Sequence, residues 1–220
     1  MAEGKLDKLI IVGAGGFGRE VAWLVERINE KKTTWNLLGF IDDNPLVQNC
    51  VLNGYGVLGT TDSISEYIDS YFVCAVGNSV TRKKIIDRLT AINPEIKFAT
   101  LLDPTVEISK YASIGEGSIV CAHSIITVNI EVGKHSIVNL DCTIGHDAVL
   151  KDYVTLYPSV NVSGATLIDE CTEIGTGTQI IQGKTIGHHT IVGAGAVVVR
   201  DIPNNCTAVG TPAKPIKYFE

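Results

Sequence analysis

The sequence predicts a small α/β unit with a parallel sheet, followed by a long parallel β-helix. Three observations predict this. Apolar runs of strand length alternate with helical patterns ahead of residue 104. The first such run ends in a glycine-rich turn that opens a helix. From Ile108 to Val198, every sixth residue is a branched aliphatic, with no slip in register. A strict hexapeptide period marks a parallel β-helix, because each hexad is one short strand plus one turn.

Composition bounds the rest. A chain of 220 residues suits one large or two small domains, and 45% hydrophobic content is ample for a core. With 18 basic against 24 acidic residues, the balance gives no electrostatic case for nucleic acid or an anionic membrane surface. No apolar run approaches the roughly 20 residues that span a bilayer. Residues 1–8 are polar and charged, which argues against a secretory leader and for a cytoplasmic protein. The six cysteines show no paired spacing, so free thiols are expected.

In chain order, residues 9–12 (LIIV) read as the first strand. Gly13-Ala14-Gly15-Gly16-Phe17-Gly18 follows, then a helical pattern through Val21, Leu24, Val25 and Ile28. Strand, glycine turn and helix form the context in which G-x-G-x-x-G approaches a phosphate, with the helix N-terminus supplying free N–H groups. A tight turn without a ligand would read the same way. Residues 37–41 form the second strand and end in Asp42-Asp43, where a nucleoside would be read or where a loop is merely solvated. A turn or short strand over residues 54–59, a helix near 63–69 and a third strand over 71–76 come next. Gly77-Asn78 closes that strand. Ser79 is expected to cap a helix over residues 80–91, whose Arg82, Lys83 and Lys84 read as a solvated face. A last short strand near 97–101 leads out through Asp103-Pro104. The unit is Rossmann-like and about half the size of a full dinucleotide-binding domain. A nucleotide-sugar fits that size better than NAD.

In the repeats, three hexads close a coil of about 18 residues, and the aliphatic at position i points inward. Position i+4 also points inward and is mostly small, from Ala112 to Ala196; Ile130 and Lys184 break the pattern, and Lys184 is expected to bend out. Gly115, Gly133, Gly145, Gly175, Gly187 and Gly193 at i+1 are expected to supply tight turns. No hexad is broken by an insertion. The expected organisation is residues 1–104 as the α/β domain, 105–203 as the β-helix and 204–220 as a tail.

The order G-A-G-G-F-G-R-E, I-D-D, A-V-G-N, hexapeptide repeats and V-G-T-P-A-K resembles that of the hexapeptide-repeat sugar O-/N-acetyltransferases of the PglD and NeuD type. The likeness covers essentially the whole chain. It implies a left-handed β-helix, a homotrimer, acetyl-CoA as co-substrate and no metal. It also implies that Gly13, Gly15, Gly16, Phe17 and Gly18 face the phosphates of a nucleotide-sugar, Asp42 and Asp43 its nucleoside, and Gly77 and Asn78 the same cleft. Phe17 departs from the histidine common at its position. His146 with Asp147 falls on the family's catalytic His and acid. His146 stands at i+2, pointing outward, above Val128, Gly164 and Gln182 on neighbouring coils. An imidazole is suited to take a proton near neutral pH. Asp147 would orient it, and a backbone N–H of Ser163 or Gly164 would steady the oxyanion. Cys142 points inward and reads as inert core. Gly175, Gly193, Ala194, Gly195 and Lys214, with Ser163 and Gly164, are the residues expected to hold acetyl-CoA.

The activity implied is transfer of acetyl to the amine of a UDP-linked 4-amino-sugar, with O-acetylation of a sugar such as sialic acid as the alternative. Other classes are a zinc enzyme of the γ-carbonic anhydrase kind, a NAD module and a non-catalytic sugar-nucleotide-binding module. Zinc needs three convergent histidines, whereas His135 and His189 share a column about 14 Å apart, and His188 and His189 are expected to diverge.

Overall fold

The computed structural model describes residues 6–219; residues 1–5, on which part of the leader argument rests, and residue 220 lie outside the described residues. The front unit comprises β1 (Asp7–Val12), α1 (Gly16–Lys31), β2 (Trp35–Ile41), the hairpin β3 (Val51–Leu52) and β4 (Tyr55–Gly56), a 3-10 segment Thr61–Tyr67, β5 (Tyr71–Cys74), α2 (Ser79–Ile92) and β6 (Lys97–Phe98). Its main sheet is parallel, in the order β2-β1-β5-β6. Ile10 and Ile11 of β1 are buried on opposite faces, as a strand covered on both sides requires. The chain leaves β1 toward β2 and returns to β5 on β1's other side. A crevice therefore opens at the carboxyl ends of β1 and β5, where the strand order reverses.

From Leu101 onward, strands of two residues stack on three faces. Face I carries Leu101–Leu102, Ile119–Val120, Ile137–Val138, Thr155–Leu156, Glu173–Ile174 and Ile191–Val192. Face II runs from Glu107–Ile108 through Thr143–Ile144 to Val197–Val198, and face III from Ser113–Ile114 to Thr185–Ile186. Every pair is parallel with a register offset of one coil, such as Ile144 opposite Val162. The prism is consistent with the left-handed class. Its first rung, Leu101–Leu102, precedes the first hexad, so the strand expected near 97–101 is in fact two strands on two sheets. Cys206–Val209 continues face I parallel to Ile191–Val192, and Lys214–Tyr218 folds back on it.

The inward column is packed as the hexads require: Val120, Ile144, Val162, Ile180 and Val198 are all essentially inaccessible. Burial of each such side chain contributes about 1.5–3 kcal/mol. Ile130 is buried among them rather than displaced. Lys184 is half-buried. Inward hydroxyls at i+4 donate to carbonyls 15 positions on, as Ser118 Oγ does to Gly133 O at 2.8 Å and Thr172 Oγ1 to Gly187 O at 2.7 Å. Cys142 uses the same place, its Sγ 3.3 Å from Tyr157 O.

The i+1 glycines are not the left-handed residues of the turns. Positive φ falls at i+3, on His123, Asn129, His135, Asp141, Asp147, Tyr153, Ser159, Ala165, Cys171 and His189. The i+1 glycines supply clearance instead. A Cβ on Gly115 would lie 2.5 Å from the Gly133 carbonyl carbon, and one on Gly175 would lie 2.5 Å from Ala194 N.

Arg82 joins the two units. It is 1% exposed, contrary to the solvated face expected from sequence. Its guanidinium donates to His135 O (2.7 Å), Val76 O (2.7 Å), Gly77 O (3.0 Å), Tyr153 O (2.8 Å) and Thr155 Oγ1 (2.9 Å). A planar fork with five N–H groups can satisfy so many carbonyls at once. Only Lys83 and Lys84 lie toward solvent. A shared apolar cluster of Leu9, Ile11, Val21 and Leu24 with Leu101, Ile119 and Ile137 completes the joint.

Candidate active site

His146 stands on the turn between faces II and III, one residue past Gly145. Its Nδ1 lies 2.8 Å from Asp147 Oδ2. Asn129, one coil earlier in the same column as Asp147, donates Nδ2–H to Asp147 Oδ1 at 3.0 Å. These two hydrogen bonds, His146's first, hold the Asp147 carboxyl below its ordinary range. Asp147 has φ of 59°, a conformation Asp tolerates better than most residues. The backbone fixes the turn as well, since Asp147 N donates to Val128 O at 3.1 Å and His146 O accepts from Ala165 N at 2.7 Å. With Nδ1 turned to Asp147, Nε2 is the nitrogen presented outward. The ring lies on Gly164, where any Cβ would come within 2.5 Å of Cε1 and Nε2. The His146 side chain is 51% exposed. A base held in orientation by a carboxylate, with its second nitrogen open, can abstract a proton from an acceptor.

The second group of expected residues collects at the crevice. Gly13, with φ of 103°, donates its N–H to Ile41 O, and a Cβ there would lie 3.1 Å from Ala75 O. Gly18 packs so closely on Gly13 O that it has no room for a side chain. Gly15 and Gly16 face open space. Gly15 is the N-cap of α1 without any side-chain cap, and no acidic residue occupies the first turn. The first N–H groups of α1 are thus free for an anion. Asp42 accepts the Ala14 N–H at 2.7 Å, fixing the glycine turn. Asp43 is taken up by Thr61 N (2.8 Å) and Arg88 Nη1 (3.0 Å). Phe17 is half-buried against the shared apolar cluster. Asn78, not Ser79, caps α2, its Oδ1 accepting from Thr81 N at 2.9 Å.

The third group divides. Ser163 and Gly164 share the II/III corner with His146. Gly175, Gly193, Ala194 and Gly195 lie on the I/II corner, where the tail carrying Lys214 crosses over: Val197 N donates to Gly210 O and Ala213 N to Val197 O. Ser163 N–H is spent on Ile180 O at 3.0 Å, so of the two expected only Gly164 N–H is without a backbone acceptor among the described residues. Gly193 is needed for clearance from Val209 Cγ1, at 2.8 Å from an added Cβ, while Gly195 has φ of 67° and open surroundings.

Within one chain these groups are apart. The front unit's hydrogen bonds and packed residues reach face I and the corners on either side of it; among the described residues none reaches the II/III corner with His146. Burial pushes the Cys142 thiol up to about 12, so it is no nucleophile. His188 and His189 do not diverge as expected: their Nδ1 atoms are 3.0 Å apart. Among the described residues no three His, Cys, Asp or Glu side chains form a group able to hold a metal. Among them, too, no helix is long and apolar enough to cross a membrane. Sequence reasoning missed Asn129, although its spacing of one coil from Asp147 was visible, and missed Tyr157 and Glu173, whose contacts with residues 77–79 no spacing reveals.

Comparison with known proteins places these features in context. The description of the PglD N-terminal domain matches residues 8–89. GDP-perosamine N-acetyltransferase of Escherichia coli O157:H7 is 30% identical over 215 residues, covering 94% of this chain and 95% of that protein. The acetyltransferase domain of PglB from Neisseria gonorrhoeae FA1090 superposes with a TM-score of 0.87 at 35% identity, over 95% of this chain and 99% of that one. A variant of perosamine N-acetyltransferase from Caulobacter crescentus, solved in complex with CoA and GDP-perosamine, gives 0.85 at 27% identity over 97% and 98%.

Proposed function

Since this chain belongs to the hexapeptide-repeat sugar N-acetyltransferases, we propose that it moves acetyl from acetyl-CoA to the amine of a nucleotide-linked amino sugar, with His146 as general base. The observation that carries this is the imidazole itself, pinned at Nδ1 by Asp147 and open at Nε2 over Gly164. The sugar amine adds to the thioester carbonyl. Its proton passes to Nε2 of His146, the carbon–sulfur bond breaks, and the proton leaves with the CoA thiol. The Gly164 N–H supports the oxyanion. The imidazolium formed in the step is stabilised by Asp147.

The crevice suits the nucleotide-sugar. The open N-terminus of α1 takes the diphosphate, with Gly15 and Gly16 allowing backbone approach and Asp42 holding the turn. Two of the relatives that span the whole chain have perosamine in their names or GDP-perosamine bound, and this supports a GDP-linked amino sugar beside the UDP-linked one implied by the resemblance. We assign residues 1–104 to the acceptor, 105–203 to catalysis and 204–220 to the cofactor groove.

One copy separates the imidazole from the crevice by the width of face II, and a second copy would reunite them. Corner II/III of one copy, with His146 and Gly164, would face corner I/II of the next, with Gly175, Gly193, Ala194, Gly195 and Lys214. Such a head-to-tail contact gives a ring when its rotation closes, and a homotrimer is the ring proposed. Exposed apolar side chains support this choice of surface: Ile125 on face II, and Val128 and Ile181 at corner II/III, are 43%, 42% and 42% exposed. Acetyl-CoA would lie in the groove between copies.

The test is CoA release with a panel of GDP-, UDP- and dTDP-linked amino sugars, with and without His146→Ala. Loss of about a hundredfold or more in kcat is expected. Unchanged turnover would remove His146 from the chemistry, and no release with any of the panel would remove the acceptor class.

A further inference from the structure

Glu173 is an outward residue of face I whose column neighbours include Ile137, Thr155 and Ile191. It is 7% exposed. A carboxylate buried this far is costly unless donors surround it. Here Oε1 accepts from Asn78 Nδ2 at 2.7 Å and Ser79 N at 2.9 Å, and lies 3.0 Å from Ser79 Oγ, whose proton also faces Cys171 O at 2.9 Å. Oε2 accepts from Tyr157 Oη at 3.0 Å. Burial and the neighbouring Glu173 push the Tyr157 hydroxyl up to about 12, so it remains a donor. The carboxylate also stands at the N-terminus of α2, where negative charge is favoured.

All of these donors but Tyr157 belong to the turn between β5 and α2, the wall of the crevice opposite the glycine turn. That turn has further ties to face I. Gly77 O accepts Thr155 Oγ1 at 2.8 Å and Arg82 Nη1 at 3.0 Å, and a Cβ on Gly77 would lie 3.6 Å from Tyr157 Oη. The wall is therefore held by the β-helix as well as by the sheet it belongs to.

We propose that Glu173, with Tyr157 as its support, is a positioning residue for the acceptor: through it the β-helix sets the wall of the crevice at residues 77–79. The proposal rests on the reading that this crevice takes the nucleotide-sugar. It has a second consequence. Glu173 already fills the anion position at α2, so the substrate diphosphate is directed to α1, whose N-terminus is uncapped.

The test separates the two Michaelis constants. Glu173→Ala is expected to raise KM for the nucleotide amino sugar about tenfold, with KM for acetyl-CoA within about twofold and kcat at saturating sugar within about threefold. Glu173→Gln, which keeps an acceptor oxygen for Ser79 N–H, is expected to recover most of the loss. Tyr157→Phe removes one hydroxyl only and is expected to raise the same KM about threefold, which keeps the test decisive if Glu173→Ala does not fold. An unmoved sugar KM in Glu173→Ala or Tyr157→Phe, or equal rises in both constants, would overturn the proposal. A wild-type protein that acetylates no nucleotide amino sugar would instead count against the functional reading.

Discussion

The imidazole of His146 rests directly on the Cα of Gly164, one coil away, with room for a hydrogen and for nothing larger. A Cβ at that position would stand 2.5 Å from Cε1 and Nε2. Glycine is required here for space, since Gly164 does not have positive φ. Gly164→Ala should therefore fold, because the displaced side chain is half-exposed and can swing outward. It should lower kcat by at least about tenfold by tilting Nε2 away from the acceptor. Steady-state kinetics beside a thermal melt would check this; wild-type kcat in a folded variant would mean that the ring orientation does not matter.

Asp147→Asn isolates the role of the carboxylate. Asparagine accepts the φ of 59° at this position and can keep the contact with Asn129. Its amide N–H, turned to His146 Nδ1, would place the imidazole proton on Nε2, the wrong nitrogen for a base. A loss of about tenfold or more in kcat is expected with little change in Tm. Asp147→Ala should cost less than Asp147→Asn if tautomer control is the reason.

Gly15→Asp tests the anion site at α1. Gly15 has φ of −68° and a Cβ there would meet nothing within 4 Å, so the substitution is free of strain. Asp is a favourable N-cap, and Tm should hold or rise. The same charge would repel a diphosphate, so KM for the nucleotide amino sugar should rise by about tenfold or more while KM for acetyl-CoA stays put. Parallel measurement of Tm and the two constants distinguishes this from damage to the fold.

The prism and the glycine crevice were legible from sequence because each depends on local regularity. A six-residue period sets which side chains point inward, and an apolar run followed by glycines sets a strand and a turn. Arg82 was misread because its burial is decided by carbonyls of residues 135 and 153, which only the docking of the two units brings to those of residues 76 and 77. The cap expected of Ser79 falls to Asn78 for the same reason: Glu173 draws Ser79 into the joint, and the Asn78 side chain accepts from Thr81 N. The turn glycines were read as conformational because their clearance from the next coil is visible only once the coils are stacked.

His135 gives the fold a pH dependence. It is 5% exposed, packed edge-on to Phe98 and stacked with Tyr153, and its Nδ1 has no partner. Burial first, and the Arg82 charge second, bring it down from 6.5 to about 4, while Asp152 pulls weakly the other way. Below pH 6.5 the unfolded chain takes up a proton here that the folded chain refuses until about pH 4. Stability should therefore fall with pH across that window, by on the order of 2 to 3 kcal/mol from this residue. Denaturant melts of wild type and His135→Gln between pH 7 and 4 would check it, the variant showing the shallower slope.

Complementation between copies tests the central claim most directly. His146→Ala lacks the base but keeps an intact crevice, and Gly15→Asp keeps the base but lacks a usable crevice. If the imidazole of one copy serves the crevice of the next, mixed oligomers of the two impaired variants, formed by co-expression and assayed at sugar well below the wild-type KM, should recover about a quarter of wild-type CoA release, since about half of the copies supply each part. Under the same conditions His146→Ala alone should show almost none and Gly15→Asp alone about a tenth or less. Mixed oligomers that remain as inactive as either parent would contradict the account, because base and crevice would then have to come from one chain.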